Sequence, residues 1–166
     1  MKGIQRTVRR RRYESRTDYK ARLHLLTSEK PRVVFRKSNR YLLAQIVTSD
    51  IAQDKVICNA STKELLVHGW PEKLSGSLKS LPAAYLLGCL LASKSKANKS
   101  GILDIGLIRH VPKSRVYAFV KGMVDSGFDM PCKKEVFPDE TQMNKKPETA
   151  KLINQLKGKF KWKLKK

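Results

Sequence analysis

The hydrophobic positions of this 166-residue chain change period several times. In "TDYKARLHLL", Tyr19, Leu23 and Leu26 recur at i, i+4 and i+7. That spacing predicts a helix with one apolar face and with Lys20 and Arg22 on the opposite side. Thr17 stands where an N-cap belongs, and Asp18 falls in the first turn, where a carboxylate favours the positive end of the helix dipole. After Pro31 the period shortens. "RVVFRKSNRYLLAQIVTS" sets the β-formers Val33, Val34 and Phe35 and the apolar run Tyr41–Thr48 on either side of Ser38-Asn39, which is turn chemistry. "DKVICNAS" (54–61) adds a third strand after a polar loop, so an antiparallel meander is predicted.

"SLPAAYLLGCLLASKSKA" is the strongest helix signal, with Pro82 in the first turn, where a missing N–H costs nothing. It is apolar nearly all round, which predicts burial against a sheet. Gly88 inside it either permits a close backbone approach or is merely tolerated. "GILDIGL" (101–107) reads as a short buried strand. "SRVYAFVKGMVDSGF" (114–128) predicts a helix with Val116, Val120 and Val124 on one face beside Phe119, and with Gly127 at the C-cap. Beyond Pro131 the chain turns polar, and only "PETAKLINQL" (147–156) offers a further short helix. The order helix, three strands, helix, strand, helix predicts an α/β fold. It is a single compact domain with a mixed four-stranded sheet, the antiparallel meander plus one parallel strand returned by a helical crossover, and helices packed on it.

Charge changes this picture at both ends. The chain carries 36 Lys and Arg against 14 Asp and Glu, a net +22. Residues 1–22 hold nine basic and two acidic residues, and residues 149–166 hold seven lysines and no acid. The expected organisation is a basic arm over 1–16, a globular α/β domain over 17–140, and a short helix with a Lys-rich tail over 141–166. Such an excess repels itself in the compact state, so a polyanion is the expected partner. Three separated cysteines, Cys58, Cys89 and Cys132, fit a reducing cytosol rather than a disulfide framework or zinc ribbon. The longest nearly apolar run, Leu81–Ala92, is too short to span a bilayer.

No P-loop, dinucleotide fingerprint or H-E-x-x-H motif occurs. His24, His68 and His110 are scattered, and Ser93-x-x-Lys96 lacks the companion motifs of a serine hydrolase. Asp104, Asp125 and Asp129 would have to converge to support metal-dependent phosphodiester hydrolysis, the enzymatic alternative. The basic features weigh more. "RRRRY" (Arg9, Arg10, Arg11, Arg12, Tyr13), followed by Arg16, Lys20 and Arg22, can neutralise phosphates and stack on unpaired bases. In the tail, Phe160, Trp162 and Leu164 alternate with Lys159, Lys161, Lys163 and Lys165, a period-2 pattern suited to phosphates plus stacking. A charge-driven, nonspecific RNA chaperone is the other alternative.

The motifs "RRRRYESRTDY", "KPRVVFRKSN", "AQIV", "HGW", "PAAYLLG", "LDIGL", "VYAFVKGMVDSGFDMP" and "VFPDE" follow one another in an order that resembles a known family. It is the 5S rRNA-binding ribosomal protein of the large subunit, universal family eighteen, in its archaeal and eukaryotic branch. The likeness covers roughly residues 8–140. It implies a non-enzymatic protein, without cofactor or metal, that binds 5S rRNA and attaches it to the large-subunit (23S-type) rRNA in the central protuberance. Neighbouring large-subunit ribosomal proteins are implied as partners, the cytoplasm as location, and neither a membrane nor a homo-oligomer. The positions it implicates are Arg9–Arg12, Arg16, Tyr19, Lys20 and Arg22 in the arm and its root. It adds Arg36, Lys37, Ser38, Asn39 and Arg40 at the strand turn, and Arg109, Lys113 and Arg115 before the last long helix. Nothing carries over onto residues 141–166.

Overall fold

In the computed structural model, which describes residues 7–51, 53–95, 99–143 and positions 152, 153, 155, 156 and 158, the period changes become separate elements. A single helical turn, α1 (Arg10–Tyr13), precedes α2 (Tyr19–Thr27). Strands β1 (Arg32–Lys37), β2 (Leu42–Asp50) and β3 (Gln53–Ser61) follow, then α3 (Glu64–His68) and α4 (Leu81–Lys94). The chain continues through β4 (Ile102–Asp104), α5 (Arg115–Asp125) and α6 (Glu140–Met143).

The strands form one sheet in the order β3-β2-β1-β4. β1 and β3 each pair antiparallel with β2, and β4 pairs parallel with β1, Arg32 lying opposite Ile102 and Val34 opposite Asp104. This is the expected mixed sheet: a meander cannot supply a parallel neighbour, but a crossover through α4 can. The pleat then divides the side chains of β1. Val33 and Phe35 enter the core, whereas Arg32, Val34 and Arg36 occupy the opposite face.

On the core face, α4 has twelve buried residues and packs on both the sheet and α5. Gly88 is where the two helices meet. A Cβ there would stand 2.2 Å from the Phe119 carbonyl oxygen, and one on Gly122 would stand 2.1 Å from that of Tyr85. Close backbone approach is therefore the reason for Gly88. Phe119 also stacks on Phe35, ring centroids 5.1 Å apart. α5 ends as expected at Gly127, φ +87°, with Gly127 N–H donating to Val124 and Phe128 N–H to Met123, a Schellman closure.

Two helix faces differ from expectation. In α5, Met123 is buried and Val124 is 38% exposed. At ~100° per residue Val124 lies roughly 80° round from Val116, whereas Met123 lies only about 20° away. In α2, no residue is buried, Leu23 is 64% exposed, and the inward side is rotated towards Arg22 and Leu25. The expected helix at 147–156 and the alternating tail lie largely or wholly outside the described residues.

Candidate nucleic-acid interface

The arm is organised by its own polar groups. Ser15, at φ +52°, reverses the chain after α1, so that the Arg16 and Thr17 N–H groups both donate to the Arg11 carbonyl. Arg11 Nε donates to Thr17 Oγ1 at 2.9 Å. Glu14 lies between Arg10 at 3.5 Å and Arg16 at 3.3 Å, and the Arg9 guanidinium stands 4.9 Å over the Tyr19 ring. The arginines remain largely exposed, as does Tyr13 at 83%, so these contacts orient cationic groups without withdrawing them from solvent.

The cap of α2 is Asp18, not Thr17. Asp18 Oδ1 accepts from Lys20 N–H at 3.0 Å and Ala21 N–H at 3.1 Å, while the Thr17 hydroxyl serves Arg11. What docks α2 is a charge rather than an apolar stripe. Arg22 Nη2 reaches Asp54 Oδ2 on β3 at 3.0 Å.

That contact begins a line of alternating charges across the outer face of the sheet. Asp54 Oδ1 also accepts from Arg32 at 2.7 Å, and Arg32 Nη1 donates to Asp104 Oδ2 at 3.1 Å. Asp104 Oδ1 in turn accepts from Arg36 Nη2 at 2.9 Å. Arg32 is 3% exposed, so its charge is held by two carboxylates in place of water. Burial pushes the Asp54 carboxyl up, but hydrogen bonds from Ser49, Arg32 and Arg22 outweigh it and hold the pKa at about 2.

The ladder fixes α2 over the ends of β1 and β4 and leaves a cleft of about 830 Å³ between them. Arg11, Arg16 and Arg22 line it from the arm and α2, Arg36 and Lys37 from β1, and the segment 102–108 supplies much of the rest. The two principal basic clusters, separated in sequence, thus share one concave surface. Next to it, Ser38 and Tyr41 close the strand turn through Ser38 N–H and Oγ, both donating to the Tyr41 carbonyl, with Ser38, Asn39 and Arg40 exposed. Lys20 is exposed on α2.

Arg36 is less free than its place in "RKSNR" implies. It also donates to the Phe35 and Asp104 carbonyls, each at 2.8 Å. The third cluster does not line the cleft. Arg109 and Arg115 are exposed elsewhere, and Lys113 pairs with Asp139 at 2.8 Å while its N–H donates to Val136.

The aspartates do not converge on a metal centre. Asp104 is taken up by Arg32 and Arg36, Asp125 accepts from the Tyr85 hydroxyl at 2.8 Å, and Asp129 pairs through its backbone with the 99–101 segment. Among the described residues no cluster of His, Cys, Asp or Glu could hold a metal ion, and no helix is long and apolar enough to cross a membrane. Cys58, Cys89 and Cys132 form no disulfide.

Sequence reading missed the ladder. Its only local trace is the i, i+4 placement of Arg32 and Arg36 on one face of a strand, while Asp54 looked like part of a polar loop.

The chain is similar in sequence to known proteins. The family model described as ribosomal large subunit proteins 60S L5 and 50S L18 matches residues 3–101. A large ribosomal subunit protein uL18 from Methanospirillum hungatei is 47% identical over 131 residues, covering 78% of this chain and 73% of the relative. The protein of that name from Korarchaeum cryptofilum is 47% identical over 138 residues, 81% of this chain and 68% of its own. The one from Methanoregula boonei is 41% identical over 136 residues, 81% of this chain and 76% of its own.

Proposed function

Since this chain belongs to the family of ribosomal large subunit proteins 60S L5 and 50S L18, we propose that it binds 5S rRNA and attaches it to the large-subunit rRNA in the central protuberance. As a member of that family, the chain is a structural constituent of the large ribosomal subunit, associated with its rRNA and proteins, and not an enzyme.

The observation that carries the finer reading is the shared cleft. It brings arm residues Arg11 and Arg16 within one surface with Arg22, Arg36 and Lys37. Five cations around a concave site suit a phosphate backbone that curves, and the exposed Tyr13 offers a ring to an unpaired base. Phosphate contacts from Arg9, Arg10, Arg12, Lys20 and Arg40 would add affinity, and the domain surface would add shape recognition. Arg109 and Arg115, exposed outside the cleft, would contact large-subunit rRNA, with Lys113 held by Asp139 between them in sequence. In this reading residues 1–16 are the arm, 17–140 the binding domain and 141–166 the tail.

The nuclease alternative loses support, because both Asp104 oxygens are engaged by arginines and, among the described residues, Asp104, Asp125 and Asp129 form no group that could hold a metal ion. A gel-shift titration tests the proposal. 5S rRNA should bind at least tenfold tighter than an unrelated RNA of equal length at the same salt, and equal affinities would overturn it.

A further inference from the structure

Arg36 reaches the cleft with its guanidinium already held in place. Nη1 donates to the Phe35 and Asp104 carbonyls, each at 2.8 Å, and Nη2 donates to Asp104 Oδ1 at 2.9 Å. Three of the five guanidinium N–H groups are thereby used. Asp104 grips the edge between Nη1 and Nη2. The edge formed by Nε and the second Nη2 N–H has no acceptor among the described residues, and the side chain is half-exposed.

Gly106 fixes the tilt of the plane. Its φ is +61°, and its N–H donates to Asp104 Oδ1 at 2.9 Å, so the chain turns back over the carboxylate that holds Arg36. A Cβ on Gly106 would stand 3.0 Å from Arg36 Cζ and 3.2 Å from each of Nη1 and Nη2. Three near-equal distances to atoms of one plane put that Cβ over the face of the guanidinium, not at its rim. The group could yield to it only by stretching the three hydrogen bonds that hold it. Gly127 is also left-handed, at φ +87°, but a Cβ there meets nothing within 4 Å.

A flexible arginine loses rotamer freedom when it binds, whereas one already fixed does not. The open Nε–Nη2 edge matches two oxygens of one phosphate. Arg11, Arg16, Arg22 and Lys37 line the same cleft, and their summed field favours a phosphate there over the edge of a base. We propose that Arg36 grips a single RNA phosphate through Nε and Nη2, with Gly106 as the positioning residue that sets its plane. The proposal rests on the reading of the cleft as an RNA site and deepens it to one contact.

Gly106→Asn tests it, because Asn tolerates the left-handed region while adding the Cβ. In gel shifts with the full chain and 5S rRNA it should weaken binding at least about tenfold. Gly127→Asn should change affinity less than about twofold, and so should Gly106→Asn in an Arg36→Lys background, where no fork is left to misplace. Equal losses at the two glycines, or losses that add to that of Arg36→Lys, overturn the proposal. Arg36→Ala should lower the salt slope by about 1, and weaker binding at an unchanged slope would assign the edge to a base and overturn it too. In the unmodified chain, NMR should resolve separate Arg36 Nη protons before RNA is added; a freely rotating guanidinium overturns the proposal without any variant. Repeating the gel shifts with an unrelated RNA of equal length separates the two readings. Equal affinities with the Arg36–Gly106 coupling intact would remove only the 5S reading, and a kept 5S preference without the coupling would remove only this one.

Discussion

Arg32 and Asp104, 72 positions apart, meet at 3.1 Å beneath the sheet's outer face, and both are nearly inaccessible to water. Removing one partner of a buried ion pair leaves the other's charge uncompensated. Asp104→Asn keeps the shape and deletes the charge. It should cost about 3 kcal/mol, the lower end of the range for broken buried pairs because Asp54 still holds the other side of Arg32. Urea unfolding at neutral pH measures it, and a loss below about 1 kcal/mol would show that the pair does not organise the fold.

Asp54 gives the ladder a dependence on acid. Its carboxyl is lowered from 3.8 to about 2, so the native state favours the charged form more than the unfolded chain does. The stability this provides is fully present above the ordinary value, declines as pH falls below it, and is gone once pH passes through about 2. The stability gap between the parent and Asp54→Asn should therefore be constant from pH 7 to 5 and close between pH 4 and 2. A gap that stayed constant down to pH 2 would mean that Asp54 is not held in its charged form.

The glycines between α4 and α5 reverse the usual rule for helices. Replacing a helical Gly by Ala normally stabilises by about 1 kcal/mol. At Gly88 and Gly122 the added methyl would meet backbone carbonyl oxygens at 2.2 and 2.1 Å, which no rotamer change can relieve. Either substitution should instead cost about 2 kcal/mol or more by forcing the helices apart. Thermal melting of Gly88→Ala and Gly122→Ala would show this as a lowered Tm, and an unchanged or raised Tm would refute the close approach.

These residues also show what sequence reading can reach. Gly127, the β1–β2 turn and the apolar α4 were legible because each depends on neighbours within a few positions: a left-handed cap, a Ser-Asn turn, a continuous apolar run. The parallel β1–β4 pairing was legible through a topological rule, since a strand returning after a long helix pairs parallel with a neighbour. The ladder was not, because its links join residues 22, 32, 68 and 72 positions apart and leave no periodic trace. The same limit misplaced α2. Its apolar spacing predicted Arg22 outward, and a single ion pair with Asp54 turned it inward. The basic clusters could be identified one by one, but their union in a cleft required the fold. α3, only five residues long, gave no usable periodicity.

The two cations at the end of β1 separate stability from binding. Arg36 serves the ladder and the cleft together, whereas Lys37 lines the cleft and has no ion-pair partner among the described residues. Lys37→Ala should leave urea unfolding unchanged and lower the slope of log affinity against log salt by about 1. Arg36→Ala should weaken RNA binding and also lower stability, by roughly 1–2 kcal/mol given its half-exposed side chain. Replacing Arg9–Arg12 together by glutamine should lower the salt slope by about 3, since each phosphate left without its arginine removes roughly 0.7–0.9 from it. The domain's unfolding should not change. An unchanged slope in that quadruple variant would mean the arm does not touch phosphate, and the affinity would then have to come from the folded surface alone.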